Sequence, residues 1–308
     1  MERVLFIYNP HAGKGTVKNK LSDIMELFMT AGFEVTVYAT RGQSDATEIV
    51  KRCGMAHDRV ICAGGDGTLH EVTHGLMELP PGQRPSCGYI PAGTVNDFAA
   101  GIKLPKRILK AAEIAAGDKC KAFDIGEMNG NYFTYVAAFG AFTSVSYETP
   151  QATKNLFGKT AYILDGVVKL NTIKSIPVQI DVDGEIWEEE CILGMITNAK
   201  SIGGLKLYRK HKIQLDDGCF DGIFVRTPKN PIELNLVMNF LLTGEENPQV
   251  HIVQGQRIQI DSDQEIAYTL DGENGGQYTR TVIVNHKQAI KYYHGMKETN
   301  PSALEALG

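Results

Sequence analysis

Hydrophobic residues follow two different periodic patterns along this chain, and the pattern changes near residue 120. In the first part, short apolar runs of strand length alternate with segments whose apolar residues recur at helical spacing. Val4–Tyr8 is the first such run, and Leu21, Ile24, Met25 and Phe28 then mark one face of a helix. Strands that alternate with helices in this way predict an open parallel sheet covered by helices.

The same alternation continues to the end of this first part. Further strands are predicted at Phe33–Tyr38, Arg59–Ala63 and Cys87–Ile90. A helix capped by Ser44 or Asp45, with Glu48 completing a capping box, is predicted to run to about Cys53. Thr68 is predicted to open the next helix.

The second part alternates strand-like runs with tight-turn signals. Asn129-Gly130 and Asp183-Gly184 each separate two such runs, and this pairing predicts a hairpin. Helical patterns are confined to residues 166–170 and 231–242. The predicted strands include Tyr132–Ala138, Ile192–Thr197, Gly222–Arg226, Arg257–Asp261, Glu265–Leu270 and Thr281–Val284.

These patterns predict an α/β protein of two domains. Residues 1–122 form an open, Rossmann-like domain, to which residues 288–308 return at the end of the chain. Residues 123–287 form a mostly antiparallel, β-sandwich-like domain. The chain has 308 residues, which is comfortable for two cores.

Composition and charge exclude several classes of protein. Lys and Arg number 31 against 36 Asp and Glu, so the net charge of -5 provides no basic field and argues against nucleic acid as a partner. The six cysteines are scattered without a CxxC pair, which argues against a zinc site or a disulfide scaffold. No apolar stretch approaches the roughly 20 residues of a membrane span. We expect a cytoplasmic protein that meets a membrane only peripherally.

Glycine-bearing loops follow three of the predicted strands. Ala63-Gly64-Gly65-Asp66-Gly67-Thr68 has three glycines in four positions, which lets an anion approach bare backbone N–H groups. Asp66 within this turn suits a magnesium ion that accompanies a phosphate. Asn9 to Gly15 reads NPHAGKG and adds the cation of Lys14, while residues 91–99 read PAGTVNDFA and add Asp97. Each of the last two loops is a weak signal alone. Glycine-rich turns between a strand and a helix are common, and a helix capped by Thr94 also explains residues 91–99.

Taken together, these loops resemble the diacylglycerol kinase catalytic family of lipid kinases, especially its bacterial members. The resemblance rests on residues 9–15, 64–68 and 91–99, and LDDG at 215–218 and LDGE at 270–273 extend it over nearly the whole chain. It implies that the first domain is phosphofructokinase-like and that the protein transfers the γ-phosphate of ATP to a lipid hydroxyl group. Diacylglycerol is the leading acceptor, and phosphatidic acid is then the product.

The resemblance also implies roles for particular residues. Glu273 matches the general base of the family, and Asp66 and Asp97 supply acidic groups to the same site. The residues implied to bind ATP are Asn9, Pro10, His11, Ala12, Gly13, Lys14, Thr40, Gly64, Gly65, Asp66, Gly67, Thr68, Leu69, His70 and Thr94. A structural Mg²⁺ is implied at Asp217 with the backbone carbonyl groups of Gln214 and Cys219, linked through water to Asp97. A lipid alcohol, the membrane surface and a second copy of the chain are the implied partners.

Several alternatives stay open at this point. Other lipid alcohols, namely a sphingoid base, a prenol or phosphatidylglycerol, fit the same motifs. An NAD kinase is disfavoured because no TPTGST-like motif follows, and a dehydrogenase because G-x-G-x-x-G is absent after the first strand. A silent ATP-binding regulator would not need Asp66, Asp97 and Glu273 together. The basic run at residues 205–212 is either a solvated loop or a contact for anionic headgroups.

Overall fold

The computed structural model describes residues 1–141, 174–199, 201–202, 205–206 and 214–296. The predicted helix at 166–170, most of the basic run at 205–212 and residues 297–308 lie outside these ranges. Within them, the predicted α/β architecture with a β-rich second half is confirmed.

The first half is a parallel sheet flanked by helices. Its strands are β1 (Glu2–Tyr8), β2 (Phe33–Ala39), β3 (Arg59–Gly64) and β4 (Ser86–Pro91). Its helices are α1 (Thr16–Asn19), α2 (Leu21–Thr30), α3 (Asp45–Cys53), α4 (Asp66–Met77), α5 (Asp97–Gly101) and α6 (Ile108–Ala115). The strand order is β2-β1-β3-β4, with all pairs parallel. The central strands β1, β3 and β4 are apolar and buried because helices cover the sheet.

The second half consists mainly of antiparallel strands. They are β5 (Cys120–Met128), β6 (Asn131–Phe133), β7 (Val136–Gly140), β8 (Ile176–Val182), β9 (Glu185–Thr197), β10 (Ser201–Ile202), β11 (Leu205–Lys206), β12 (Phe220–Arg226), β13 (Val250–Gly255), β14 (Arg257–Leu270) and β15 (Glu273–Tyr293). One described helix, α7 (Pro231–Thr243), accompanies them. Strands β9 and β14 each pair with β8 at one end and with β7 at the other, so the sheet folds over itself around an apolar core.

Strand β15 joins the two halves. Its first part pairs with β14 and its last part with β5, and Tyr292 lies opposite Cys87 of β4. The hydroxyl groups of Tyr292 and Thr73 on α4 are 2.6 Å apart, and the N–H of Gly295 donates to Ile102 O. Strand β4 and helix α4 of the first half are therefore joined directly to the β-rich half.

Both predicted hairpins are confirmed, but two strand predictions need correction. Asn129 and Asp183 have left-handed φ values of 47° and 50°, each followed by a glycine with positive φ. The strand expected at residues 132–138 is broken between β6 and β7, because the N–H groups of Thr134 and Tyr135 donate to the carboxylate of Asp271. The two strands expected between 257 and 270 form one strand with a shifted register.

Two helix starts also differ from prediction. Helix α4 begins at Asp66 rather than Thr68, with Gly65 as its N-cap residue. Neither Ser44 nor Asp45 caps α3 with its side chain, and no capping box forms. Instead, the Glu71 carboxylate on α4 accepts the N–H groups of Ser44 and Ala46. A side chain from a neighbouring helix therefore satisfies the amides that a local cap was expected to bind.

Candidate active site

The three glycine-bearing loops meet at the carboxyl edge of the parallel sheet. A Cβ atom added at Gly13 would lie 2.5 Å from Ala92 O, and one at Gly93 would lie 2.7 Å from the Cα of Gly65. The loop after β1 therefore contacts the loop after β4, which in turn contacts the loop after β3. At these positions glycine is required by close approach of backbone, since any side chain would collide.

All residues predicted to bind ATP lie on this edge. Residues 9–14 form the loop after β1, where the N–H of Asn9 donates to Ala63 O of β3 at 2.9 Å. Thr40 follows β2 directly and donates its N–H to Tyr8 O. Residues 64–70 end β3 and open α4, and Thr94 lies exposed in the loop after β4. Gly13, Lys14 and Gly15 have successive positive φ values, so this loop turns sharply above α1.

Asn96 fixes the third loop. Its Oδ1 accepts the N–H of Gly93 at 2.9 Å, and its Nδ2 donates to Gly93 O at 2.7 Å. Helix α5 begins at the buried Asp97, three residues after Thr94, so Thr94 does not cap it. The N–H of Asn96 donates to Asp66 Oδ2 at 2.8 Å, which ties this loop to the loop after β3.

Asp66 is half-buried, and one oxygen of its carboxylate is shielded from solvent. Among the described residues, Asp66 Oδ1 has no hydrogen-bond partner although it is shielded from solvent. The pKa of Asp66 is raised to about 7, mainly by burial and further by the negative charges of Asp97 and Asp271. The hydrogen bond from Asn96 has the opposite effect and lowers the pKa. An unpartnered, buried carboxylate oxygen with acidic neighbours is a suitable ligand for a cation.

Glu273 comes to the glycine-rich turn from the other half of the molecule. A Cβ atom added at Gly67 would lie 2.9 Å from Glu273 Oε1, so the carboxylate rests against the first turn of α4. Glu273 is exposed and opens β15, directly after the tight turn of Asp271 and Gly272. The structure thus brings Glu273 and Asp66 to one place from sequence positions about 200 residues apart.

The turn that carries Glu273 is anchored by Asp271. The buried carboxylate of Asp271 accepts the N–H groups of Thr134, Tyr135 and Val136 and the hydroxyl group of Thr134, at 2.7 to 3.1 Å. His70 Nδ1 lies 3.3 Å from Asp271 Oδ2. Sequence reasoning missed this anchor, and its only local signal is an aspartate before Gly272 at a turn.

The predicted structural magnesium residues share one turn before β12. Asp217 Oδ1 accepts the N–H of Cys219 at 3.0 Å, and Gln214 is exposed at the start of the same segment. Asp124 of β5, another residue that sequence reasoning missed, accepts the N–H groups of Gly218 and Gln288. Burial raises the pKa of Asp124, although these two hydrogen bonds act in the opposite direction and lower it. A charged residue inside the apolar run of β5 was the signal that could have identified it.

Two features do not occur in the part of the chain that the structure describes. No cluster of three or more His, Cys, Asp or Glu side chains with metal-binding geometry occurs in the described ranges. In the same part of the chain, none of the helices combines the length and the apolar character that crossing a bilayer requires.

An open α/β half with glycine-bearing loops at its sheet edge, joined to a β-rich half that places a carboxylate beside them, is the arrangement expected of a two-domain phosphoryl-transfer enzyme. Similarity to known proteins supports this class of enzyme. The family model of the diacylglycerol kinase catalytic domain matches residues 3–128, and that of the YegS C-terminal NAD kinase beta sandwich-like domain matches residues 137–307.

Individual relatives cover almost the whole chain. A diacylglycerol kinase of Staphylococcus saprophyticus is 38% identical over 308 residues, which is 99% of both chains. A diacylglycerol kinase of Bacillus subtilis is 35% identical and covers 90% of this chain and 91% of its own. The crystal structure of a diacylglycerol kinase from Bacillus anthracis aligns with a TM-score of 0.76 at 26% identity, covering 98% of each chain. The chain belongs to the diacylglycerol kinase family, and it is a kinase.

Proposed function

We propose that this kinase transfers the γ-phosphate of ATP, with Mg²⁺, to the hydroxyl group of diacylglycerol and so forms phosphatidic acid. The observation that carries the proposal is the position of Glu273, whose carboxylate rests against Gly67 in the phosphate-binding turn. An acceptor for the proton of an alcohol is thereby next to the place where a terminal phosphate would lie. The lipid substrate is inferred from relatives named diacylglycerol kinase.

In this proposal the first half binds the nucleotide. The three loops, comprising residues 9–14, Gly64–His70 and Thr94, present backbone N–H groups to the phosphates, and Thr40 lies beside them. The N-terminus of α4 adds its favourable dipole, and Lys14 adds a positive charge. These groups position the phosphates and balance their charge, which is most of what phosphoryl transfer requires of a protein.

Magnesium fits the residues at the crevice. Asp66 Oδ1 is buried without a partner among the described residues, and Asp97 opens the neighbouring helix. Carboxylate oxygens are the ligands that Mg²⁺ prefers, and the bound ion would neutralise charge on the phosphates. Asp217, with the carbonyl groups of Gln214 and Cys219, would hold the second, structural ion, because only Oδ1 of Asp217 is used in the Asp217–Cys219 hydrogen bond.

The acceptor side belongs to the β-rich half. Glu273 accepts the proton of the lipid hydroxyl group as the oxygen attacks the terminal phosphorus, and the bond between that phosphorus and the bridging oxygen breaks to release ADP. The anchored Asp271 holds the turn so that Glu273 stays at Gly67. We further propose that the protein works peripherally at the inner face of the cytoplasmic membrane, where its lipid substrate is located. A homodimer is part of this proposal only by analogy with related enzymes.

A labelling assay tests the activity directly. The purified protein is incubated with [γ-³²P]ATP, Mg²⁺ and mixed micelles of diacylglycerol, with a sphingoid base, a prenol, phosphatidylglycerol or NAD in parallel reactions. We expect label in phosphatidic acid. Preferential labelling of another alcohol, or of NADP, would contradict the proposed substrate.

Variants test the assigned residues. Asp66→Ala and Glu273→Gln should each lower turnover by at least about 100-fold, because each removes a group at the reacting atoms. The matched control is Glu185→Gln, because Asp183-Gly184-Glu185 repeats the triplet Asp271-Gly272-Glu273 at another hairpin. Wild-type turnover in Glu273→Gln would remove Glu273 from its role.

A further inference from the structure

His70 connects the nucleotide-binding half to the turn that carries Glu273. It lies one helical turn after Asp66 and Gly67 on α4, so the three residues share one face of the helix. Its Nδ1 is 3.3 Å from Asp271 Oδ2, and Asp271 precedes Glu273 by two residues. The imidazole side chain is only 19% exposed. One contact thus bridges the helix that begins at the phosphate-binding turn and the strand that begins with Glu273.

The surroundings of Asp271 determine which atom of this contact carries the proton. Its two oxygens already accept three backbone N–H groups and a threonine hydroxyl group. A carboxylate surrounded by donors is an acceptor, so His70 Nδ1 must donate. The Asp271 contact therefore fixes both the tautomer and the orientation of the ring.

The charges that face His70 are predominantly negative. Asp271 and Glu273 approach it from the β14–β15 turn, and Glu71 and Asp66 lie on its own helix, as does His74, whose ring centroid is 6.2 Å away. Burial alone would lower the pKa of His70, but the hydrogen bond and charge of Asp271, with Glu273 and Glu71, outweigh it and raise the pKa. His74 shows the opposite balance, because burial and the charge of His70 lower its pKa.

We propose that His70 is a positioning residue for phosphoryl transfer: through Asp271 it holds the turn that places Glu273 against Gly67, and it sets a positive charge beside that carboxylate. This inference rests on the proposed function, in which Glu273 accepts the proton of the lipid hydroxyl group. It adds a role that binding of the nucleotide does not require. A positive charge beside a carboxylate favours its ionised form, which is the form that accepts a proton.

Two substitutions separate the hydrogen bond from the charge. In His70→Asn the side-chain amide can occupy the position of Nδ1 and donate to Asp271, but it carries no charge. His70→Ala removes both. The matched control is His74→Gln, one turn further along the same helix, where the ring packs against Tyr132.

The first measurement is the pH profile of kcat with diacylglycerol micelles, together with the KM for ATP. We expect kcat of His70→Ala to fall about 10- to 100-fold, because the base is displaced. KM for ATP should change less than about threefold, because the variant keeps the backbone N–H of residue 70 and the nucleotide loops. His70→Asn should recover most of kcat, but the acid limb of its profile should move to higher pH. His74→Gln should match the wild type. A wild-type profile in His70→Ala would overturn the proposal.

The second measurement does not depend on activity. The imidazole C–H signals of His70, assigned by their loss in His70→Asn, are titrated by NMR in the wild type and in Glu273→Gln without nucleotide. Coupling between two groups is reciprocal, so loss of the Glu273 charge should lower the titration midpoint of His70 and leave that of His57 unchanged. An unchanged His70 midpoint would overturn the proposal. If no lipid alcohol is phosphorylated, the proposed function fails, while this titration still decides whether the charges of His70 and Glu273 are coupled.

Discussion

Asp66 brings a carboxylate into surroundings that disfavour its charge. Its Oδ1 is buried without a partner among the described residues, and Asp97 and Asp271 contribute further negative charge. At about pH 7 this carboxyl group is about half protonated, and in our proposal a bound cation would balance the charge of its ionised form. The proposed role of Asp66 requires the ionised state. In that state the residue therefore lowers the free energy of unfolding of the protein.

We predict that Asp66→Asn flattens the pH dependence of stability. The folded-state pKa of about 7 exceeds the ordinary value of 3.8, so the folded protein binds this proton more tightly than the unfolded chain does. The resulting stabilisation is fully present below about pH 4 and is lost as the pH rises through about 7. Between about pH 5 and about pH 8, the free energy of unfolding of the wild type should fall by at most about 3 kcal/mol more than that of the variant.

Urea unfolding in EDTA at these two pH values checks this prediction. Asp183→Asn, at an exposed turn, serves as the control and should keep the wild-type pH dependence. Equal pH dependence in Asp66→Asn and the wild type would show that Asp66 has an ordinary affinity for protons.

We predict that adding one methyl group at Gly67 lowers catalysis and leaves folding intact. In Gly67→Ala the new Cβ would lie 2.9 Å from Glu273 Oε1, which is the mobile end of a side chain and can move aside. We expect kcat to fall about 10- to 100-fold through displacement of the carboxylate, with the melting temperature nearly unchanged. Gly82→Ala, where a Cβ meets no atom within 4 Å, is the control. A wild-type kcat in Gly67→Ala would contradict the placement of Glu273.

The sequence Asp-Gly-Glu occurs at two hairpins, 183–185 and 271–273, and the two are locally equivalent. Both begin with aspartate at φ near 50° followed by glycine with positive φ. Sequence patterns predicted the turns, the parallel sheet and the loops at its edge, because each depends on residues close together in the chain. They could not predict that Asp271 interrupts a strand at Thr134 and Tyr135 or meets His70, because these contacts join residues more than 130 positions apart.

The two turns are predicted to respond differently to the same substitution. Asp271→Asn places an amide N–H₂ group against donors, since both oxygens of Asp271 accept buried N–H groups. We expect a loss of about 2–4 kcal/mol in the free energy of unfolding. Asp183→Asn disturbs two similar bonds to Gln256 and Arg257, but at an exposed site, and should cost less than about 1 kcal/mol. Urea titrations at pH 7 compare them, and equal losses would contradict the anchoring role of Asp271.

The two halves share a strand and a hydrophobic core cluster in addition to the crevice between them. Strand β15 has 21 residues and pairs with strands of both halves, whereas the sequence pattern predicted only residues 281–284 of it. Much of the strand is half-exposed and polar, so its hydrophobic alternation is weak, and its length comes from pairing with successive partners. One core cluster contains Leu5 and Val60 of the parallel sheet together with Ile223 and Val225 of β12. A substitution that destabilises either half should therefore also destabilise the other half.

The chain provides a natural probe for this coupling. Its only tryptophan, Trp187, lies in the β-rich half, where its ring packs against His251 and Phe224. Leu5 is fully buried in β1 of the other half, and Leu5→Ala should cost about 2–5 kcal/mol. We predict that this substitution lowers the urea midpoint of Trp187 fluorescence as much as that of the far-UV circular dichroism, because the two halves unfold as one cooperative unit. Met29→Ala, at a side chain 69% exposed on α2, should move neither midpoint. If Leu5→Ala shifted the dichroism while the Trp187 transition stayed in place, the halves would be independent folding units and the shared strand would be a mere connection.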